Sequence, residues 1–162
     1  MSSPAYEKIR VGIFGASGYG GSELLRILLF HPDVEIVFAT ANEHAEKPVS
    51  DIHKNLLGIT DLRFDKLPEH IEGIDNIDLA FLALPHGQAM TLAPRLSDSI
   101  HVIDLSGDFR LTDAEEFSAF YGVEQTESEY QSRFFYGLTE SNREQISTAR
   151  YIANPGCFAT AT

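Results

Sequence analysis

Five short apolar runs, each followed by a segment of different periodicity, constrain this chain more than anything else in it. IRVGIF (9–14), VEIVFA (34–39), DLAFLAL (78–84), HVIDL (101–105) and YIA (151–153) are rich in Val, Ile, Leu and Phe and hardly alternate with polar residues. A strand with one wet face alternates and a strand covered on both faces does not, so these runs read as a parallel sheet with helices on either side. LRF (62–64) is expected to be a sixth, weaker strand. The segments between carry helical spacing. From Gly21 to Phe30, Leu24, Leu25 and Leu28 share one face, and Pro32 stops the element. Val49, Ile52 and Leu56 suit a short helix or turn. GQAMTLAPRLSD (87–98) suits a helix shortened or kinked at Pro94, and ESNREQISTA (140–149) a further helix. Strands alternating with helices require right-handed crossovers, hence a doubly wound α/β fold on a mostly parallel sheet. Residues 113–133, denser in carboxylates and aromatics, read as an excursion over the surface whose acids face solvent.

The bulk properties narrow the class of partner. A chain of 162 residues fits one domain or part of a larger protein, and 43% hydrophobic content is enough to bury a core. The formal charge of −12 argues against nucleic acid and anionic membrane, both of which demand basic surface. The apolar stretches are too short to span a bilayer, and MSSPAYEKIR has no apolar signal region. A small-molecule partner and a cytoplasmic location are therefore expected. The single cysteine, Cys157, forms no internal disulfide and no cysteine-rich zinc site, so no metal is expected.

The junction between the first strand and the first helix reads GASGYGG (15–21). Gly15, Gly18 and Gly21 form a G-x-x-G-x-x-G pattern where a dinucleotide-binding loop of the Rossmann type belongs. Gly15 allows the sharp turn after the strand, Gly18 lets backbone approach a pyrophosphate, and Gly21 lets the helix pack on the strand. The helix N-terminus offers free N–H groups to the phosphates. Past the second strand lies Thr40-Ala41-Asn42-Glu43. A carboxylate there favours NAD and an arginine favours NADP. Glu43 lies several residues beyond the strand, Lys47 is within loop reach and no arginine is near, so these residues leave NAD and NADP both open.

Ligands of such sheets bind beyond the carboxyl ends of the strands. Pro85 and Gly87, after the third strand, form a stiff turn able to face a ribose or nicotinamide. His86 between them suits a structural hydrogen bond better than catalysis. DLSGDFRL (104–111) places Asp104, Asp108 and Arg110 at the next strand end. Arg110 either clamps a carboxylate or phosphate, or pairs with Asp108 and fixes the loop. After the last strand, Pro155-Gly156 turns the chain and Cys157 starts a helix-like CFATAT. A helix N-terminus favours an anion, hence the thiolate, which is the nucleophile; the alternative is a buried structural thiol. A nucleophilic cysteine beside a dinucleotide implies that an acyl group carried on sulfur as a thioester is reduced by hydride to an aldehyde.

GASGYGGSELLR, LALPHGQA, DLSGDFRL, YGLTE and NPGCFAT together resemble the N-acetyl-gamma-glutamyl-phosphate reductase family, from Val11 to Thr162. The resemblance implies reduction of N-acetyl-glutamyl 5-phosphate to N-acetyl-glutamate 5-semialdehyde and phosphate with NADPH, in arginine biosynthesis. It makes Cys157 the nucleophile and Gly15, Ala16, Ser17, Gly18, Tyr19, Gly20 and Gly21 the phosphate cradle. It sets Pro85, His86 and Gly87 near the nicotinamide. Arg110 falls near the substrate, with Ser106, Tyr136, Gly137 and Glu140 around its pocket. The family's Ser-Arg pair after the second strand is Ala41-Asn42 here, and its GLPE is GLTE. Family members run to about twice this length. Residues 1–156 would thus be the dinucleotide-binding domain and 157–162 the start of a second, α+β substrate domain, which also supplies the acid–base histidine. A homo-oligomer is expected of the full-length protein. The competing readings are a related acyl-phosphate reductase, for aminoadipyl phosphate or as an aspartate-semialdehyde dehydrogenase, and a non-catalytic dinucleotide-binding module in which Cys157→Ser changes nothing.

Overall fold

Strand β1 (Ile9–Phe14) ends in four fully enclosed residues, and the sheet is built outward from it. The computed structural model describes residues 7–67, 74 and 76–162. In chain order the elements are β1, α1 (Tyr19–Leu28), β2 (Val34–Ala39), α2 (Val49–Ile52), β3 (Leu79–Leu82), α3 (Gln88–Leu92) and β4 (His101–Asp104). They continue with α4 (Ala114–Tyr121), α5 (Ser128–Gln131), β5 (Phe135–Tyr136), α6 (Thr139–Thr148), β6 (Tyr151–Ala153) and α7 (Cys157–Ala161). The six strands lie in the order β2-β1-β3-β4-β6-β5, and every pairing is parallel. All carboxyl ends therefore meet on one rim.

The unalternating runs are explained by cover on both faces. Val11 and Ile13 of β1 pack with Leu25 of α1 in one cluster, whereas Phe14 joins Leu82, Val102, Met90 and Phe117 in the other. Burying a side chain of this size contributes about 1.5–3 kcal/mol each. The sense of each crossover then sets the layers. Progress from β3 to β4 keeps α3 on the second face, and the step back from β5 to β6 returns α6 to the first. Beside α6 the first face carries a hollow of about 410 Å³, lined by Ile9, Leu79, Ile103, Ile146 and Ile152.

Several boundaries differ from the sequence expectation, each for a local reason. The strand expected at 62–64 does not join the sheet. That segment makes only isolated bridges, Thr40 with Asp65 and Pro48 with Arg63, beside β2. The sixth strand is instead β5, two residues long, which no hydrophobic run could announce. Helix α1 begins at Tyr19, two residues before Gly21, so Tyr19 and Gly20 form its first turn. Pro94 ends α3 early and sits in the 3-10 turn Ala93–Arg95. Residues 113–133 are not a mere surface excursion. Glu115, Glu116, Glu124 and Glu129 are exposed, but Phe117 is fully buried and Gln125 and Gln131 are buried with it. This segment covers the second face, with α4 capped by Asp113, whose carboxylate accepts from the N–H groups of Glu115 and Glu116.

Candidate active site

At one end of the rim the glycine loop is held from several sides. Thr40, just past β2, accepts the Ala16 N–H on its carbonyl at 2.8 Å and the Gly15 N–H on Oγ1 at 3.2 Å. Gly15 has φ +81°, and a Cβ there would run into the Ala83 carbonyl, so both the angle and the space demand glycine. A Cβ on Gly21 would lie 2.5 Å from the Ala16 backbone, which is how closely α1 is pressed on the loop. Gly18 is different. It is the N-cap of α1 in an extended conformation, and the nearest atom to a Cβ there would be 4.0 Å away. Its outer side is open, and it borders a groove of about 340 Å³ lined by Gly15, Ser17, Thr40, Asn42 and Pro85 among others. An extended dinucleotide fits these features: backbone N–H groups at a helix start, and no side chain on Gly18 to obstruct a phosphate. At the far end of the groove lie Glu43 and His44, and the Lys47 Nζ is 3.4 Å from the His44 Nδ1.

The next loop along the rim, Pro85-His86-Gly87, is fixed by a carboxylate from the loop after β4. Asp108 is fully buried. It accepts the Gly87 N–H on Oδ1 and Oδ2 at 2.9 and 3.0 Å, and the Met90 N–H at 3.1 Å, thereby capping α3. Gly87 can turn its N–H to that carboxylate because its φ is +85°. His86 stacks at a tilt on Tyr121, 4.7 Å between ring centroids, with its Nδ1 3.7 Å from the Asp108 Oδ1. Asp108 is thus committed to the Gly87 loop and is not the partner of Arg110.

Arg110 ties two rim loops together instead. Its Nε donates to the Asn154 carbonyl at 2.7 Å and its Nη2 to the Leu105 carbonyl at 3.1 Å. It also borders a hollow of about 400 Å³ with Leu111, Tyr121, Tyr136 and Gly156. Ser106 is buried, and its hydroxyl donates to Asp104 at 2.6 Å while accepting the Asp108 N–H at 3.1 Å, so that hydroxyl is spent inside the loop. Burial pushes the Asp104 carboxyl above its ordinary value, against the pull of the Ser106 hydrogen bonds. Glu140 is exposed in the first turn of α6, its Oε2 accepting from the Thr139 hydroxyl. Gly137 donates its N–H to the Ala153 carbonyl, which lines up β5 with the end of β6.

Cys157 is the first residue of α7, with Gly156 as N-cap, and it is exposed. The loop before it is anchored by Asn154, whose N–H donates to the Asp104 carbonyl at 2.8 Å and whose carbonyl receives Arg110. The fold puts the glycine loop, the Pro85–Gly87 turn, Arg110 and Cys157 on the same rim, because each follows a strand of one parallel sheet. Three supports could not be read from the sequence: Thr40 on the groove side of the glycine loop, His53 on its α2 side, and Asp108 behind Gly87. A polar residue closing an apolar strand was the available signal for Thr40. His53, in a segment 37 residues away from Ala16, had none.

Residues 10–149 match the family model described as semialdehyde dehydrogenase, NAD binding domain. The chain is 46% identical over 158 residues to a [LysW]-L-2-aminoadipate/[LysW]-L-glutamate phosphate reductase of Saccharolobus solfataricus, covering 96% of this chain and 44% of that protein. It is 46% identical over 153 residues to an N-acetyl-gamma-glutamyl-phosphate reductase of Acinetobacter baumannii, covering 94% and 43%. It is 44% identical over 155 residues to that of Neisseria meningitidis, covering 95% and 44%. The chain thus spans less than half the length of the curated relatives it matches. Among solved structures, aspartate semialdehyde dehydrogenase with NADP from Candida albicans superposes with a TM-score of 0.59 at 15% identity, over 96% of this chain and 44% of that one, which shows a shared fold.

Proposed function

The chain belongs to the semialdehyde dehydrogenase family, whose NAD-binding domain it matches, and we propose that it forms the cofactor-binding portion of an acyl-phosphate reductase with Cys157 as nucleophile. In this reading residues 1–156 bind NADPH and α7 opens the substrate domain. The substrate is N-acetyl-glutamyl 5-phosphate, and the product is the 5-semialdehyde used in arginine biosynthesis. The observation that carries the reading is the exposed thiol at the start of α7, on the rim shared with the glycine loop.

The residues divide the work as follows. Gly15 to Gly21 receive the cofactor phosphates on backbone N–H groups, and the Pro85–Gly87 turn, stiffened by Asp108, abuts the nicotinamide end. The bound nicotinamide supplies hydride. The Cys157 thiolate attacks the acyl carbonyl, the carbon–oxygen bond to phosphate breaks, and inorganic phosphate leaves with that electron pair. Arg110 holds the Asn154 carbonyl, so the loop bearing the thiol keeps its place while the acyl group is attached. Once the thioester carbon has taken hydride, the oxygen it leaves negatively charged re-forms its double bond to carbon as the carbon–sulfur bond breaks, giving aldehyde and restoring the thiolate. Tyr136, beside Arg110, lines the hollow assigned to the acyl group.

Among the described residues no helix is long and apolar enough to cross a membrane. The net charge of −12 disfavours nucleic acid and anionic membrane as partners, and a small-molecule substrate, a cytoplasmic location and a homo-oligomeric complete enzyme belong to the same reading. A second substrate, the aminoadipyl or glutamyl phosphate carried by LysW, is favoured by the equal identity to the Saccharolobus solfataricus relative. Phosphate-dependent reduction of NADP by the complete enzyme tests these readings. N-acetyl-glutamate semialdehyde as the active substrate supports the first, the LysW-linked semialdehyde supports the second, and turnover only of aspartate semialdehyde defeats both.

A further inference from the structure

We propose that His53 is a positioning residue for cofactor binding: by gripping the Ala16 carbonyl it aims the Ser17 N–H at the dinucleotide phosphates. This rests on the glycine loop being the cofactor cradle. His53 lies between α2 and the 3-10 turn Lys54–Leu56, with 7% of its surface exposed. Its Nε2 is 2.8 Å from the Ala16 carbonyl oxygen. A carbonyl only accepts, so Nε2 carries the hydrogen. The ring has little freedom to leave. It stands edge-on to the buried Phe64, 5.8 Å between centroids. Its backbone N–H donates to the Val49 carbonyl at 2.8 Å, and its carbonyl accepts the Leu56 N–H at 2.9 Å.

The other side of Ala16 is equally fixed, since its N–H is held by the Thr40 carbonyl at 2.8 Å. What remains free in such a loop is the plane of the Ala16–Ser17 peptide. That unit is planar and trans, so the Ser17 N–H points opposite to the Ala16 C=O. Drawing the carbonyl toward His53 turns the Ser17 N–H to the opposite side of the peptide plane; Ser17 lines the groove beside Gly15 and Gly18, and we infer that its N–H serves that groove. Without a donor at position 53 the buried carbonyl lacks its partner, and the peptide plane can rotate to seek another. His53 does not line that groove; it borders, with Ser17, Gly18 and Lys54, a separate hollow of about 410 Å³ on the α2 side of the loop, and its hydrogen bond to Ala16 is what links it to the groove.

The test compares His53→Leu, which fills the space without donating, with His53→Gln, whose carboxamide can donate to the same carbonyl. NADPH affinity is measured calorimetrically on the complete enzyme, with the rate of Cys157 alkylation by iodoacetamide as a control on the rest of the rim. His53→Leu is expected to weaken NADPH about tenfold or more. His53→Gln should stay within about threefold, and alkylation should be unchanged in both. A His53→Leu protein that binds NADPH as the wild type does overturns the proposal, as does equal weakening by both substitutions. If His53→Leu fails to fold, the wild-type amide spectrum decides. The Ser17 amide proton must move downfield when NADPH is added, and a Ser17 signal that stays put while its neighbours move overturns the proposal. A wild-type enzyme that binds neither NADPH nor NADH instead refutes the cradle itself.

Discussion

The two ends of the sheet rim are built to different degrees. At the glycine loop, every constraint the loop needs lies within the domain: Thr40 in front, His53 behind, α1 pressed against Gly21. At the Cys157 end the support is only from below. Arg110 and Asp104 fix the Asn154 backbone, while the thiol and the neighbouring Phe158, 83% exposed, face outward. In the proposed reading the cofactor is held by backbone geometry that this part of the chain preorganises, whereas the nucleophile stays accessible to an acyl group. Binding and turnover should therefore be separable by substitution.

Cys157→Ser gives the largest separation. In the complete enzyme it should lower turnover by at least about a thousandfold with the NADPH dissociation constant within about twofold, read by steady-state kinetics and calorimetry. Comparable turnover in the serine variant would leave only a non-catalytic role for this rim. Gly15→Ala strikes the other end. The left-handed φ and the contact with the Ala83 carbonyl should together cost about 3 kcal/mol of stability in urea unfolding. NADPH binding should be lost at concentrations that saturate the wild type, while Cys157 of the folded fraction still alkylates.

Asp108→Asn sharpens the boundary between the ends. An amide replaces one carboxylate oxygen facing the Gly87 and Met90 N–H groups with a donor, and should cost about 2 kcal/mol. Its kinetic effect should fall on the KM for NADPH more than on alkylation of Cys157. The smallest effect is a pH dependence at Asp104. Its carboxyl is raised in the folded state, so its contribution to stability is fully present below the ordinary carboxylate value near 4 and is lost as pH rises through the raised value. The stability difference between the wild type and Asp104→Asn should shrink from pH 4 toward neutrality in thermal melts. A difference that widens over that range would mean the carboxyl is held down instead.

Strands β1, β2 and β6 lie where their apolar runs put them, because burial on both faces leaves a composition that no surface segment shares. The turn of the glycine loop was equally legible, since the angle at Gly15 and the close approaches at Gly15 and Gly21 exclude side chains. The exposed acids of 113–133 hid a structural segment, because the few residues that matter there, Phe117, Gln125 and Gln131, are scattered among charged ones. The pairing of Arg110 with Asp108 was a reasonable guess from two charges two residues apart, yet each side chain turned to backbone groups of another loop.

The sequence by itself determined that a parallel sheet would form and that its first turn would be a tight, glycine-bearing one, since apolar runs and glycine spacing are local. Only the tertiary structure decided which side chains hold the rim in register. Thr40, His53, Asp108 and Arg110 act through hydrogen bonds to backbone carbonyls and amides, which every residue carries, so nothing in the partners' identity could mark them. Those bonds come into being only when crossovers bring segments as far apart as Ala16 and His53, or Arg110 and Asn154, to the same rim.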